Sequence, residues 1–364
     1  MTETARPRWL ILTALALVAI NLRTLLTSIP SVALDIQDAT GWSDVAIGLL
    51  TTTTVIFMGL VALIVPSVAG RFGRTQTVWL ALAILTLAAG MRLWGPAVLP
   101  ISVVLAGTGI ALAAGLVPGI VREQLPQTIG SASGLWTATM FAGATIGAAL
   151  TVPFATMLGS WQAGLAVWAI PAGIAFIAWG AIERPWRGAR GAIASRVRLS
   201  TLPWRSRTAW ALTAYMAINS IVFYGAIAWI APSLDERGWD QAASGWLFGL
   251  AAGAQVFGGL LLPSLTYRLP GRRIIWAATC LIASAVLVIF AVQPTFATPV
   301  TLFLFGLCNS GGFAMALSML SEMVPDAAAS ARLTAMAFTV TYLLAALGPE
   351  LSGLIVQVTN SWTT

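Results

Sequence analysis

Apolar stretches of about 20 residues or more recur along the whole chain, and a helix of that length crosses the hydrocarbon core of a bilayer. Inside that core only helices and closed barrels satisfy their own backbone hydrogen bonds, so the pattern leaves few architectures open. Eleven segments are read, at residues 9–34, 44–69, 76–94, 98–121, 131–157, 161–182, 207–233, 241–267, 273–292, 298–323 and 331–357. The first is too long, and too lacking in a small-residue cleavage site, to be a removable signal peptide; it is kept as segment 1. With 58% apolar and 9% charged residues and a mean hydropathy of +0.88, soluble, disordered and collagen-like classes are excluded.

The net charge of +7 would suggest nucleic acid in a soluble protein, but here the charge follows topology. All 19 basic residues are arginines. Counted on alternate sides of the segments, 16 fall on one side: Arg6, Arg8, Arg71, Arg74, Arg122, the run from Arg184 to Arg207, Arg268, Arg272, Arg273 and Arg332. The other side holds Arg92 and Arg237 and the acids Asp35, Asp38, Asp44, Asp235, Glu236 and Asp240. Arginine is retained in short cytoplasmic loops, which predicts a cytoplasmic N-terminus and a multi-pass protein of the cytoplasmic membrane. The chain has no histidine, and its two cysteines, Cys280 and Cys308, both lie in apolar runs. Imidazole catalysis, a metal centre and a disulfide framework are therefore not expected.

Against itself the chain matches at an offset of 197 to 199. Ala19-Ile20-Asn21 recurs as Ala217-Ile218-Asn219; Gly41-Trp42, Gly48, Pro66 and Arg71 recur as Gly238-Trp239, Gly245, Pro263 and Arg268; Gly107, Glu123 and Pro126 recur as Gly306, Glu322 and Pro325. The expected fold is an all-α bundle of two parallel six-helix repeats related by an axis along the membrane normal. Its expected parts are an N-terminal bundle over 1–182 (segments 1–6), an arginine-rich cytoplasmic linker over 183–206, and a C-terminal bundle over 207–364 (segments 7–11). The linker is read as a positive tether along the anionic leaflet. The repeat predicts a twelfth segment, yet the chain stops at Ser361-Trp362-Thr363-Thr364, whose Ser-Trp resembles the Ser160-Trp161 that opens segment 6; a missing twelfth helix is expected.

Asn21-Leu22-Arg23-Thr24 with Thr27-Ser28 and Pro30 resembles the segment-1 motif of the cyanate permease and 2-nitroimidazole transporter family of the major facilitator superfamily. Gly107-Thr108-Gly109, Arg122-Glu123-Gln124-Leu125-Pro126, Ser220 to Tyr224 and Tyr342 to Pro349 add matches along the chain. The superfamily's loop between segments 2 and 3, G-x-x-x-D-R-x-G-R, has its counterpart here in residues 66–74, with Arg71, Gly73 and Arg74 as the implied gating residues. Gly70 stands where the pattern has Asp, which puts a latch through that carboxylate in doubt.

Arg23 is the sharpest single feature, because a guanidinium near a helix centre costs about 2.5–3.5 kcal/mol on insertion scales and persists where it faces a cavity or a partner. Its planar fork suits a small planar anion or a nitro group. It either contacts the solute or joins helices, through helix-end carbonyls or Glu350. Thr27 lies one turn away on the same face. Glu350 is the only acid well inside a segment, after Pro349, and is either the proton-coupling group or a wetted counter-charge. Asn21 and Asn219 are repeat-related; each contacts solute or makes an interhelical amide bond. Tyr215 and Asn219 share one face of segment 7, Ser220 and Tyr224 another, and one of these faces should line the cavity. Asn309 in segment 10 and Trp136 in segment 5 complete the substrate candidates. Gly143, Gly147 and Ala148 in segment 5 and Gly249 and Gly253 in segment 8 are spaced for close approach, and these two segments are expected to slide past each other.

The expected activity is secondary transport of a small solute, cyanate-like or nitro-bearing, by alternating access, with protons as the candidate coupling ion. A proton-coupled drug or metabolite exporter is the alternative within transport, and a membrane sensor without transport is the alternative outside it. Neither an enzyme nor a cofactor nor a nucleic-acid partner is expected, since no P-loop and no catalytic cluster is found. The chain is taken to act as a monomer in the lipid bilayer.

Overall fold

The structure is a computed structural model that describes residues 8–183, 202–235, 239, 241–267, 273–291 and 297–348. Glu350, most of the arginine-rich linker and the last residues fall outside this set. The described residues form helices α1 (Arg8–Ser31), α2 (Ala33–Thr40), α3 (Asp44–Ala62), α4 (Val65–Phe72), α5 (Arg74–Gly90), α6 (Leu99–Ala114), α7 (Val117–Gln124) and α8 (Ile129–Leu158). They continue with α9 (Trp161–Ala166), α10 (Ala169–Glu183), α11 (Arg207–Asp235), α12 (Gln241–Tyr267), α13 (Arg273–Ala291), α14 (Thr298–Glu322) and α15 (Ala327–Ala345).

Nine helices or helix runs among the described residues are long and apolar enough to span; the bent pair α3–α4 and the shorter apolar stretch Ile274–Leu287 within α13 occupy the remaining two expected positions. The breaks inside spans fall at prolines of the sequence, and each has a local cause. Segment 2 bends by 58° between α3 and α4, where Pro66 sits in the first turn of α4 and has no N–H for the helix before it. Pro118 opens α7 in the same way and divides segment 4. Exposed Trp9, Trp79, Trp210 and Trp276 stand at one end of the bundle and Trp94 and Trp246 at the other, the distribution of an interfacial belt.

The repeat in the sequence recurs as a repeat in packing. A Cβ on Gly107 of α6 would fall 2.4 Å from the Thr54 carbonyl oxygen, and one on Gly306 of α14 would fall 2.1 Å from that of Ala251. These are corresponding pairs at the offsets of the sequence match. A Cβ on Gly147 of α8 would lie 2.8 Å from the Thr24 carbonyl oxygen, and one on Gly348 would lie 3.0 Å from that of Ile221. In each half, therefore, the same crossings bring backbones together where only glycine fits.

The glycines of segments 5 and 8 do not work as expected. Gly143 and Gly147 face α1, with the Ile20 oxygen 1.9 Å from where a Gly143 Cβ would lie, and Gly249 and Gly253 meet nothing within 4 Å. Contact between α8 and α12 is made instead by Gly134 and Gly259: a Cβ on Gly134 would lie 2.9 Å from the Gly259 oxygen.

Three apolar clusters fill the bundle. One is shared by both halves and runs through the centre to the arginine-rich end, from Leu116, Val117, Val121 and Leu125 to Leu317, Leu320 and Leu333. At the opposite end the halves keep separate clusters, around Ile29, Ile36, Leu99 and Trp161 in one and around Ala226, Leu247, Leu302 and Phe305 in the other.

These contacts set an expectation for thermal melts in detergent. Gly143→Ala forces α1 and α8 apart and lowers stability by about 1–3 kcal/mol, whereas Gly249→Ala, in open space, is neutral or gains up to about 1 kcal/mol.

Candidate functional site

Helix α1 is held to α8 by a row of hydroxyls three and four residues apart. Thr24 Oγ1 donates to the Gly143 carbonyl at 3.0 Å, Thr27 Oγ1 to that of Ala144 at 2.9 Å, and Ser31 Oγ to that of Ala148 at 3.0 Å. The same hydroxyls of Thr24 and Thr27 also bond back to Ile20 and Arg23, one turn earlier in α1. Thr27 is thus committed to helix packing, on the face next to that of Arg23.

Arg23 is 4% exposed and lies among aromatic rings. Its guanidinium carbon is 5.0 Å from the ring centroid of Phe141, 4.8 Å from that of Phe223 and 5.7 Å from that of Tyr224. Phe141 belongs to α8, and the other two rings belong to α11, so both halves build this box. Phe141 and Phe223 themselves meet edge to face at 5.5 Å. Among the described residues no ion pair to Arg23 exists. The Tyr224 hydroxyl, next to it, is buried without a hydrogen-bond partner among the described residues. Tyr342 of α15 lies in electrostatic range of both. Ring faces attract a desolvated cation by about 2 kcal/mol, which offsets part of its burial cost but satisfies none of its N–H donors.

The other predicted residues are placed as follows. Asn21 donates to the Leu17 carbonyl at 2.8 Å within α1, about 200° around the helix from Arg23. Asn219 and Asn309 each donate a side-chain N–H to the other's backbone oxygen at 3.2 Å, clamping α11 to α14. Tyr215 and Asn219 crowd Gly312 of α14. The face of α11 turned toward Arg23 is therefore that of Tyr224. Trp136 is buried in the shared core, about 140° around α8 from Phe141. In the loop between α4 and α5, Gly73 takes a φ of 90°, a conformation that favours glycine. Arg71 lies over the ring of its neighbour Phe72, and Arg74 pairs with Glu123.

Two arginines matter in ways that sequence reasoning missed. Arg122 of α7 donates to the carbonyls of Ser321 at 2.9 Å and Pro325 at 3.2 Å, at the end of α14, and Ser321 Oγ donates back to the Pro118 carbonyl at 2.9 Å. Arg122 and Ser321 correspond by the repeat, so the two halves meet here across their pseudo-twofold axis. Asp326 caps α15 beside this contact, accepting from the Ala329 N–H at 2.7 Å. That amide, foremost, holds the carboxyl below the ordinary carboxylate range, so the cap is present above that range and is lost only as pH falls beneath it.

Arg92, counted above with a loop, is 0% exposed. Its Nε donates to Ser102 Oγ at 2.8 Å, its Nη1 to Ser28 Oγ at 3.0 Å and its Nη2 to the Leu25 carbonyl at 3.1 Å. It joins α5's end to α6 and α1 without a carboxylate among the described residues. Nothing in the sequence marked it, since its partners Ser28 and Ser102 are single serines on distant segments.

The profile of the Major Facilitator Superfamily matches residues 11–349. The chain is 31% identical over 359 residues to the 2-nitroimidazole transporter of Escherichia coli K12, covering 98% of this chain and 90% of that one. It is 30% identical over 362 residues to the uncharacterized transporter YycB of Bacillus subtilis 168, covering 98% and 88%. With the cyanate transport protein CynX of Escherichia coli K12 it shares 28% over 357 residues, covering 96% and 91%. In three dimensions it is similar to the proton:xylose symporter XylE bound to 6-bromo-6-deoxy-D-glucose, with a TM-score of 0.75 at 14% identity, over 97% of this chain and 89% of that one; this likeness concerns the fold alone. Nine apolar spans and a bent tenth among the described residues, a repeat visible in both sequence and packing, and a family match across nearly the whole chain agree: this multi-pass membrane protein belongs to the Major Facilitator Superfamily, among transporters of small solutes.

Proposed function

We propose that the chain carries a small planar anion or nitro compound across the cytoplasmic membrane by alternating access, with Arg23 as the recognition group. The observation that carries this reading is the Arg23 box: a buried cation whose N–H donors meet no acceptor among the described residues, walled by rings from both halves and beside a phenol that has no partner among them either. A nitro group takes two parallel N–H bonds from the guanidinium and lies flat against a ring, whereas linear cyanate accepts N–H bonds at its terminal atoms. Similarity to transporters named for cyanate and for 2-nitroimidazole supports the same class.

In this reading residues 1–182 and 207–364 are the two moving bundles, joined by the cytoplasmic linker 183–206. The arginine-rich end faces the cytoplasm, as retention of positive loops requires. The Arg122, Ser321 and Pro118 bonds then form the inner gate, supported by the Arg74–Glu123 pair and the turn at Gly73. In this reading the gate is shut where the apolar core is continuous, and the two halves stay apart at the other end, where their clusters are separate. Glu350 is assigned the proton-coupling role as the one intramembrane acid of segment 11.

Ligand-induced thermal stabilisation across cyanate, nitrate, small carboxylates, 2-nitroimidazole and neutral analogues tests the site. Arg23→Gln is expected to weaken binding roughly tenfold to a hundredfold, the worth of charge-assisted bonds; an unchanged shift removes Arg23 from recognition. Tyr224→Phe keeps the ring and removes a buried orphan hydroxyl, so it leaves apo stability equal or higher while affinity for an acceptor solute falls severalfold.

For coupling, Glu350→Gln abolishes proton-driven accumulation in vesicles and spares counterflow; retained accumulation removes the assignment. For the gate, a cysteine at Gly119 in a background lacking Cys280 and Cys308 is shielded by Ala327. Arg122→Ala is expected to raise its labelling from the cytoplasmic face severalfold.

A further inference from the structure

Arg92 is a second intramembrane guanidinium, and its surroundings are unlike those of Arg23. Every bond it makes among the described residues goes to a neutral oxygen, and those oxygens belong to a connected set. Ser102 Oγ, which accepts from Nε, donates onward to the Ala88 carbonyl at 2.8 Å; Ser28 Oγ, which accepts from Nη1, donates to the Leu25 carbonyl at 3.2 Å. Nη2 reaches that same carbonyl. Three helix ends are thus tied through one planar fork, which a lysine could not span.

The position of the grip on α1 matters. At about 100° per residue, Leu25 lies about 200° and Ser28 about 140° around α1 from Arg23. The α8 row, Thr24, Thr27 and Ser31, lies about 40–100° from Arg23. Arg92 therefore holds the back of α1, α8 holds one flank, and Arg23 leaves from the front toward α11. The outer part of α1 needs such a hold. Pro30 lies inside the helix and has no N–H to offer the Leu26 carbonyl, so one ladder bond is missing within a turn of Arg92's fork.

We propose that Arg92 is a positioning residue for Arg23: by gripping the back of α1 it sets the rotation at which the Arg23 guanidinium enters the aromatic box. The proposal deepens the solute-site reading and rests on it for its effect on transport, but its effect on α1 is independent of that reading. A displacement of about 1 Å at a binding group can cost as much as a hundredfold in the step it serves.

The experiment combines uptake of labelled cyanate or 2-nitroimidazole into vesicles with amide hydrogen exchange of α1, for Arg92→Gln and Arg92→Lys, each with and without Arg23→Gln. Arg92→Gln is expected to raise the half-saturating concentration roughly tenfold at nearly unchanged maximal flux. In the Arg23→Gln background it adds nothing further, the signature of two residues acting through one contact. Exchange between Leu22 and Ser31 accelerates, and Arg92→Lys falls between wild type and Gln. Independent, multiplying effects of the two substitutions, a loss of maximal flux alone, or unchanged exchange would each overturn the proposal. If Arg92→Gln does not fold, the double substitution Ser28→Ala and Ser102→Ala removes two of the three acceptors and carries the same test. If Arg23→Gln leaves affinity intact, the solute reading falls by itself, and the exchange of α1 alone then decides for or against Arg92.

Discussion

An apolar medium offers no water to an arginine, and the interior of this bundle is arranged around two that must nevertheless be housed there. Arg92 is housed by hydrogen bonds: three of its N–H donors meet oxygens of Ser102, Ser28 and Leu25. Arg23 is housed by ring faces and, among the described residues, by nothing that accepts its protons. Each nitrogen of the first has an acceptor, and among the described residues those of the second have none. A buried cation with its acceptors in place is a joint, whereas one without them is a place where an acceptor gains more than it would in water, because low dielectric strengthens whatever bond forms.

The two halves repeat in packing and differ in chemistry. Glycines at corresponding crossings let backbones touch in both, as at Gly107 with Thr54 and Gly306 with Ala251. Yet residues 220–222, which correspond to the neighbourhood of Arg23, are Ser, Ile and Val. The fold is twofold, but the charge sits in one half and most of its rings in the other. That division makes the box a shared property of both bundles. The contact between Arg122 and Ser321 is shared in the same way, and it lies at the end where the apolar core is continuous.

Spans were legible in the sequence because hydropathy over about 20 residues is a one-dimensional quantity, as is the repeat offset. Breaks were partly legible: Pro66 and Pro118 mark them, but the 58° bend depends on what α4 packs against. Arg23 was legible because its cost is high wherever it points. Arg92 was misread as a loop charge because it stands at a segment end, where an exposed arginine costs nothing; only its tertiary partners, two of them serines on distant segments, reveal its burial. Arg122 was recorded as part of a motif and not as a bridge, since its acceptors are backbone carbonyls, which every sequence contains. The aromatic wall was missed for the same reason: Phe141 and Phe223 are ordinary apolar residues until α8 and α11 bring them to one cation. The glycines of α8 were read correctly as sites of close approach but assigned to the wrong neighbour, because small-residue spacing states that something comes near without stating what.

A box built from both bundles also bears on how binding would drive the proposed cycle. A ligand shifts a conformational equilibrium only through its differential affinity for the two states. A site lined by one bundle would be equally good in either state and would shift nothing. Here Phe141 stands on one bundle and Phe223 and Tyr224 on the other, so rocking changes the distance from Arg23 to its walls. A solute that bonds to the guanidinium and stacks against rings of both halves favours the arrangement in which they are closest. In the proposed cycle release would follow when one end parts, and which end parts would be set by contacts such as that of Arg122, remote from the solute. Recognition and gating are then separate in place and joined through the rigidity of α1 and α8, the helices that Arg92 and the Thr24, Thr27 and Ser31 row hold as one unit.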